Sequence, residues 1–199
     1  MSKRDIILAS NNAGKVREIN AMLANTSFNV VPQSTLNIEE AEETGLTFIE
    51  NALIKARHAA RHTDCPVIAD DSGIEVPALK GRPGIYSARY AGVGASDQQN
   101  LDKLMEEVSA LDEHQRQARF VCVMVCLRHA DDPVPLIAQG IWNGIAVVEP
   151  RGENGFGYDP MFYVPTHECT SAELPAEVKN QLSHRGQALR QLTAMLTDL

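Results

Sequence analysis

Ile68-Ala69-Asp70-Asp71-Ser72-Gly73-Ile74 sets two adjacent carboxylates, a hydroxyl and a glycine directly after an apolar run. The run predicts a buried strand over Val67 to Ala69 that ends at the aspartates, and open α/β sheets hold ligands beyond their strand ends. Neighbouring carboxylates repel unless a cation relieves them, and Mg²⁺ accepts hard oxygen ligands of this kind. A solvated turn uses the same residue types, so the decision between metal site and turn falls to the rest of the chain.

Four further segments carry groups suited to chemistry. Ser10, Asn11, Asn12, Ala13, Gly14 and Lys15 form a turn before a helix, where outward amides, the helix dipole and an ammonium favour phosphate. The turn is not a Walker A loop, since Ala9 and Val16 stand where that pattern needs glycine and a hydroxyl. The acidic run Glu39 to Glu43 precedes a helix on which Asn51, Lys55 and His58 share one side, which is either a solvated face or a partner for phosphate and metal. Arg151 to Pro160 surrounds Phe156 and Tyr158 with glycines and closes on Asp159, so the Phe156 ring is either a stacking plate for a planar base or a plug. Ser183-His184-Arg185-Gly186 opens the last helix with hydrogen-bond donors at its positive end, and Lys179 lies one turn upstream.

The elements that must position these groups alternate in type. A strand from Ile6 to Ala9 leads to a helix with Val16, Ile19, Met22 and Leu23 on one face. Thr47-Phe48-Ile49-Glu50 has capping-box spacing and starts a second helix that runs toward Asp64-Cys65-Pro66. Residues 80–96 are rich in glycine and predict a long ordered loop or a junction between lobes. A helix over Asp97 to Val108, a strand over Phe120 to Leu127, and a hairpin over Pro135 to Val148 turning at Asn143-Gly144 follow. A short strand from Met161 to Val164 and a helix from Ser183 to about Leu196 complete the pattern of an α/β protein with a mixed sheet flanked by helices.

Composition narrows the function. With 199 residues, 44% hydrophobic and 22% charged, the chain has ordinary globular proportions. A net charge of −8 argues against binding nucleic acid polymers, which needs a basic surface, and leaves any anionic substrate dependent on local cations or a metal. No apolar stretch approaches the ~18 residues of a membrane span. The apolar segment after Met1-Ser2-Lys3-Arg4-Asp5 is too short for a signal peptide's central region. Cys65, Cys122, Cys126 and Cys169 form no Cys-x-x-Cys pair, so a reducing, cytoplasmic setting is expected.

Six ordered blocks give the chain a family resemblance. They are Ser10-x-Asn12-x-x-Lys15, Glu43-Thr44-Gly45-x-Thr47-Phe48-x-Glu50-Asn51-Ala52, Ala69-Asp70-Asp71-Ser72-Gly73, Pro83-Gly84-x-Tyr86-Ser87-x-Arg89, Gly155-Phe156-Gly157-Tyr158-Asp159-Pro160 and Ser183-His184-Arg185-Gly186-x-Ala188. In this order they closely resemble the inosine triphosphate pyrophosphatase family, whose bacterial members act as dITP/XTP pyrophosphatases. The resemblance implies a single domain over residues 1–199: an elongated mixed sheet flanked by helices, two lobes, an active cleft between them, and a homodimer. It implies Mg²⁺-dependent hydrolysis of deaminated purine nucleoside triphosphates to monophosphate and pyrophosphate. Asp71 is implied as general base, and Asp71 with Glu42 or Glu43 as metal ligands supported by Asp70. Ser10 to Lys15, Lys55, Ser72 and Lys179 would bind mainly the phosphates. Phe156, Gly157, Tyr158, Asp159, His184 and Arg185 would hold sugar and base, with donors near His184 and Arg185 meeting the 6-keto group. Asn11 departs from the small residue usual at its place, which implies a local change in the first loop.

Overall fold

The computed structural model describes residues 3–196, and the chain gathers into two compact units. The first comprises residues up to 71, 122–140 and from 185 onward; the second comprises 72–121 and 141–184. Three strands, β3 (Val67–Val76), β5 (Gln117–Leu127) and β6 (Leu136–Ala146), contribute to both.

In the first unit, β1 (Arg4–Leu8) pairs in parallel with β2 (Phe28–Pro32) on one side and with β3 on the other, at Ile7↔Val67 and Leu8↔Ile68. Helix α1 (Ala13–Leu23) makes the crossover between β1 and β2 that parallel pairing requires. Successive strand residues point to opposite faces, and both faces here are covered. Ile6, Leu8, Ile68, Cys122, Met124 and Cys126 pack with Ile19 and Leu23 of α1 and with Leu189 and Leu192 of α5 (His184–Met195). Ile7, Ala9, Val67, Ala69, Val123 and Val125 pack with Ala52, Ala56 and Ala59 of α2 (Phe48–Ala60). Coverage on both sides is why these strands read as unbroken apolar runs.

The second unit holds β4 (Arg82–Pro83), α3 (Asp97–Ser109), β7 (Phe162–Val164), β8 (Cys169–Thr170) and α4 (Ala176–Leu182). Its core joins Ile74, Val76, Leu101, Leu104 and Val108 to the rings of Phe120, Trp142 and Phe162. Among the described residues the strand order is β2-β1-β3-β5-β6-β7-β8, with β4 paired to β3.

Several expectations need correction. Strand β3 does not stop at the aspartates; it continues through Asp70, Asp71, Ser72 and Gly73 to Val76. Gly73 makes that path possible, because a Cβ there would lie 2.4 Å from both the Gly84 carbonyl and Ser87 Oγ. Ser87 Oγ accepts the Ile74 N–H at 3.0 Å and donates to Gly84 O at 2.7 Å, locking the 3₁₀ segment Gly84–Arg89 against the strand. Residues 80–96 are therefore not a plain loop.

Asn143-Gly144 is not a turn either, since β6 runs straight through it. Gly144 serves a close approach instead: a Cβ would meet the Phe162 ring and the Tyr163 carbonyl at 2.6 Å. Helix α2 ends at Ala60, several residues before the expected stop, and Lys179 stands on α4, a helix with no counterpart among the expected elements.

Candidate active site

Strand alternation separates the two aspartates. Ile68 faces α1 and α5, Ala69 faces α2, and the next two residues repeat the pattern. Asp70 accordingly meets Lys15 of α1, with Nζ 3.0 Å from Oδ2, and Arg185 of α5, with Nε 3.6 Å from Oδ2. Cys122 Sγ, on the same face of β5, lies 4.0 Å from that oxygen. Asp71 meets α2, whose Asn51 Nδ2 and Lys55 Nζ each lie 3.2 Å from a carboxylate oxygen. The expected repulsion is thus relieved by separation and by basic side chains of the protein itself.

These surroundings push the two acids apart. Burial opposes the ionisation of Asp70, but the charges of Lys15, Arg185 and Lys55 outweigh it and hold the carboxyl well below the usual range. At Asp71 burial prevails over the opposing charges of Lys55 and Lys15, and Glu43 adds to it, so this carboxyl is raised. Burial likewise works against the Lys55 ammonium, yet Asp71, Asp70 and Glu43 together raise it. A pair of acids split in this way is the pattern of one fixed anion and one proton acceptor.

The first loop is built by capping. Asn12 Oδ1 accepts the Lys15 N–H at 3.0 Å, and Ser10 Oγ accepts the Asn12 N–H at 3.3 Å. Helix α1 therefore begins at Ala13, so Ala13, Gly14 and Lys15 belong to its first turn rather than to the loop. Asn11, Asn12 and Ala13 are exposed, Gly14 is buried, and Asn11 Oδ1 accepts a hydrogen bond from Gln33 at 3.3 Å.

Helix α2 is anchored by Thr47, whose Oγ1 accepts the Glu50 N–H at 3.3 Å and donates to Glu50 Oε2 at 2.9 Å. That anchor presents Asn51 in two directions: its Oδ1 accepts the Gly45 N–H at 2.8 Å while its amide donates to Asp71. Asn51 ties the acidic segment to Asp71 and was absent from the expected site. Glu43 accepts from Lys55 Nζ at 2.7 Å, whereas Glu42 is exposed. His58 leaves the group entirely and reaches the Glu39 carbonyl, 2.9 Å away.

The residues present fit a hard divalent cation. Lys55 holds Glu43 and Asp71 on one ammonium, which brings two carboxylates together, and Mg²⁺ is typically bound by one or two carboxylates with substrate phosphates and water. Among the described residues no group of three or more acidic, His or Cys side chains forms a closed metal cage. Asp70 Oδ1 is buried with no hydrogen-bond partner among them, but Asp70 itself is committed to Lys15 and Arg185.

The second unit holds the glycine-rich loop. Asp159 organises it: Oδ2 accepts from Lys179 Nζ at 2.6 Å and from the Phe156 N–H at 2.9 Å, and Oδ1 accepts from Ser171 at 2.7 Å. Gly155, with φ +78°, must be glycine because a Cβ would meet Asp159 Oδ2 at 2.1 Å. Lys179 Nζ lies 5.3 Å from the centroid of the Phe156 ring, which is half-buried. Tyr158 donates its hydroxyl to the Ser87 carbonyl at 2.7 Å, and the Gly157 N–H donates to Asp97 at 3.0 Å. His184 is buried and stacks on Phe120, centroids 4.7 Å apart at 9°. Ser72 is half-buried.

Lys179 is thus buried in a pair with Asp159, and Arg185 is buried between Asp70 and Glu18. Glu18 is another member that sequence reasoning missed, since nothing local in α1 distinguishes it from a solvated glutamate.

The Ham1 family model matches residues 6–195. The chain belongs to the Ham1 family. It is 53% identical over 195 residues to a dITP/XTP pyrophosphatase of Legionella pneumophila (strain Lens), covering 98% of this chain and 100% of the relative. It is 57% identical over 193 residues to a dITP/XTP pyrophosphatase of Shigella flexneri, covering 97% and 98%. Among solved structures, a HAM1 protein from Coxiella burnetii superimposes with a TM-score of 0.90 at 48% identity, covering 98% of this chain and 100% of the other. The dITP/XTP pyrophosphatase structure from Mycobacterium abscessus gives a TM-score of 0.75 at 36% identity, covering 97% and 99%. In this Ham1 chain the mixed α/β sheet flanked by helices is therefore the family's fold.

Proposed function

We propose that this Ham1-family chain is a nucleoside triphosphate pyrophosphatase that hydrolyses deaminated purine nucleotides (dITP, ITP, XTP and dXTP) to monophosphate and pyrophosphate. The relatives that carry the name dITP/XTP pyrophosphatase over nearly their whole length support the reaction class. The observation that carries the chemistry is the split on β3: a raised carboxyl at Asp71, beside Lys55 and Glu43, with the ionised Asp70 turned to the other face.

Asp71 accepts the proton of a water that attacks the α-phosphorus, and the bond from that phosphorus to the bridging oxygen breaks as pyrophosphate leaves. Lys15 and Lys55 offset the charge that grows on the departing group, and Asn51 keeps Asp71 oriented. Asp71 with Glu43, in preference to the exposed Glu42, would hold Mg²⁺, which would supply charge neutralisation for the triphosphate and a more acidic bound water. Asp70 serves as the anion that holds Lys15 and Arg185 in place. Ser10 to Gly14 and Ser72 are assigned to phosphate binding through their hydroxyl and amide groups.

Phe156 offers its face to the purine, and the Asp159–Lys179 pair holds that ring in position rather than meeting phosphate directly. Gly157 and Tyr158 shape the same loop. His184 and Arg185 are assigned to selection of the 6-keto group, since an unmatched buried donor costs roughly 1–3 kcal/mol. Among the described residues no helix is long and apolar enough to cross a membrane. The free thiols are consistent with the proposed cytoplasmic setting, and the family resemblance supports a homodimer.

Pyrophosphate release measured across ITP, dITP, XTP, GTP, ATP and dUTP with Mg²⁺ tests the reading. High kcat/KM for the first three and low values for the others are expected. A preference for dUTP, or tight ITP binding without turnover, would replace it with a pyrimidine-directed enzyme or a nucleotide sensor.

A further inference from the structure

The histidine that leaves the carboxylate cluster has its own geometry. His58 Nε2 lies 2.9 Å from the Glu39 carbonyl oxygen, and a carbonyl only accepts. Nε2 therefore carries the proton, which leaves the lone pair on Nδ1. One turn further on, the His62 N–H donates to the Ala59 carbonyl at 3.0 Å, so the backbone keeps a helical path past the end of α2. The four-residue spacing then brings the two imidazoles together, with centroids 5.3 Å apart and planes inclined at 61°. Two imidazoles on one tetrahedral ion, each with a metal–nitrogen bond of ~2.1 Å, set their centroids roughly 5 Å apart. His58 is half-buried and His62 exposed, so an ion reaches the pair from solvent.

We propose that His58 and His62 chelate a divalent transition metal ion of the Zn²⁺, Ni²⁺ or Cu²⁺ class at a surface site distinct from the carboxylate cluster. Imidazole nitrogens suit these ions and do not suit Mg²⁺. The same two-histidine spacing on a helix serves zinc sites elsewhere. The Glu39 carbonyl acts as the outer partner that metal-binding histidines almost always have, fixing tautomer and ring orientation. Among the described residues no third His, Cys, Asp or Glu completes a closed set, so water fills the remaining positions and the ion exchanges readily. Coordination at Nδ1 makes the Nε2–H a stronger donor to Glu39. The ion thereby tightens the tie between α2 and the start of the acidic segment that carries Glu43.

Isothermal titration of the untagged protein with NiCl₂, in millimolar Mg²⁺ to occupy hard-oxygen sites, tests this. One Ni²⁺ per chain is expected, with affinity at least tenfold lower in both His62→Gln and His58→Gln, and with ITP hydrolysis in Mg²⁺ alone unchanged in His62→Gln. Side-chain ¹⁵N spectra recorded with Zn²⁺ should shift His58 Nδ1 and one nitrogen of His62. Absence of Ni²⁺ binding, unchanged affinity in both variants, or shifts at His114, His129 or His167 in place of this pair would overturn the site.

Discussion

Each aspartate on β3 answers to a different set of charges, and pH separates their contributions. Asp70 has a folded pKa depressed by Lys15, Arg185 and Lys55 in spite of its burial. Its ionisation contributes stability that is fully present above the unfolded value of ~3.9 and is lost as pH falls through the lower folded value. Asp71 is raised by burial, so the folded chain holds this proton more tightly than the unfolded chain does. Ionising Asp71 therefore costs stability; that cost is absent below the unfolded value and complete above the folded one. At neutral pH, Asp70→Asn should destabilise by about 1–3 kcal/mol, because it leaves the half-buried Lys15 without its carboxylate and the buried Arg185 with Glu18 alone. Asp71→Asn should leave the melting temperature unchanged or higher, since Lys55 keeps Glu43. Thermal melts of the two variants at pH 7 check this, and equal losses would refute the division of charges. The chemical types at this site were legible in the sequence. Their opposite orientation was not, because it depends on β3 continuing where Asp and Gly are poor strand formers.

Elements explain which other expectations held. Thr47 was readable as a helix start because capping is local, and α3 begins at Asp97 behind a capping box of Ser96 and Gln99. Asn143-Gly144 misled because its glycine answers to Phe162, a residue distant in sequence, rather than to a turn. Gly144→Ala should therefore destabilise by about 1–3 kcal/mol through overpacking against β7, with urea unfolding as the measure. An unchanged midpoint would mean that the close approach is relieved at no cost. The pairing of Lys179 with Asp159 was equally unreadable, since α4 and the glycine-rich loop meet only in the folded second unit. If α4 serves to hold Phe156, Phe156→Ala and Lys179→Met should both raise KM for ITP several-fold while kcat changes little. A fall in kcat with unchanged KM for Lys179→Met would instead place its ammonium on the reacting phosphates.

For the whole molecule, a net charge of −8 is set against a polyanionic substrate, so attraction must come from a few placed cations. In the proposed function Lys15 and Lys55 take that part, and each is held by an aspartate of the same strand. The α/β class and the spacing of the motif blocks were legible from the chain alone, because buried parallel strands and caps leave periodic local signals. Long-range charge pairing leaves none, which is why Glu18 as the partner of Arg185 emerged only in the folded molecule. The proposed reaction turns on Asp71 as the proton acceptor in cleavage of a deaminated purine triphosphate. Pyrophosphate release from ITP by Asp71→Asn, with ITP affinity measured on the same protein, tests it most directly. Turnover should fall by at least a hundredfold with binding largely retained; a rate close to that of the unaltered enzyme would remove Asp71 from that role.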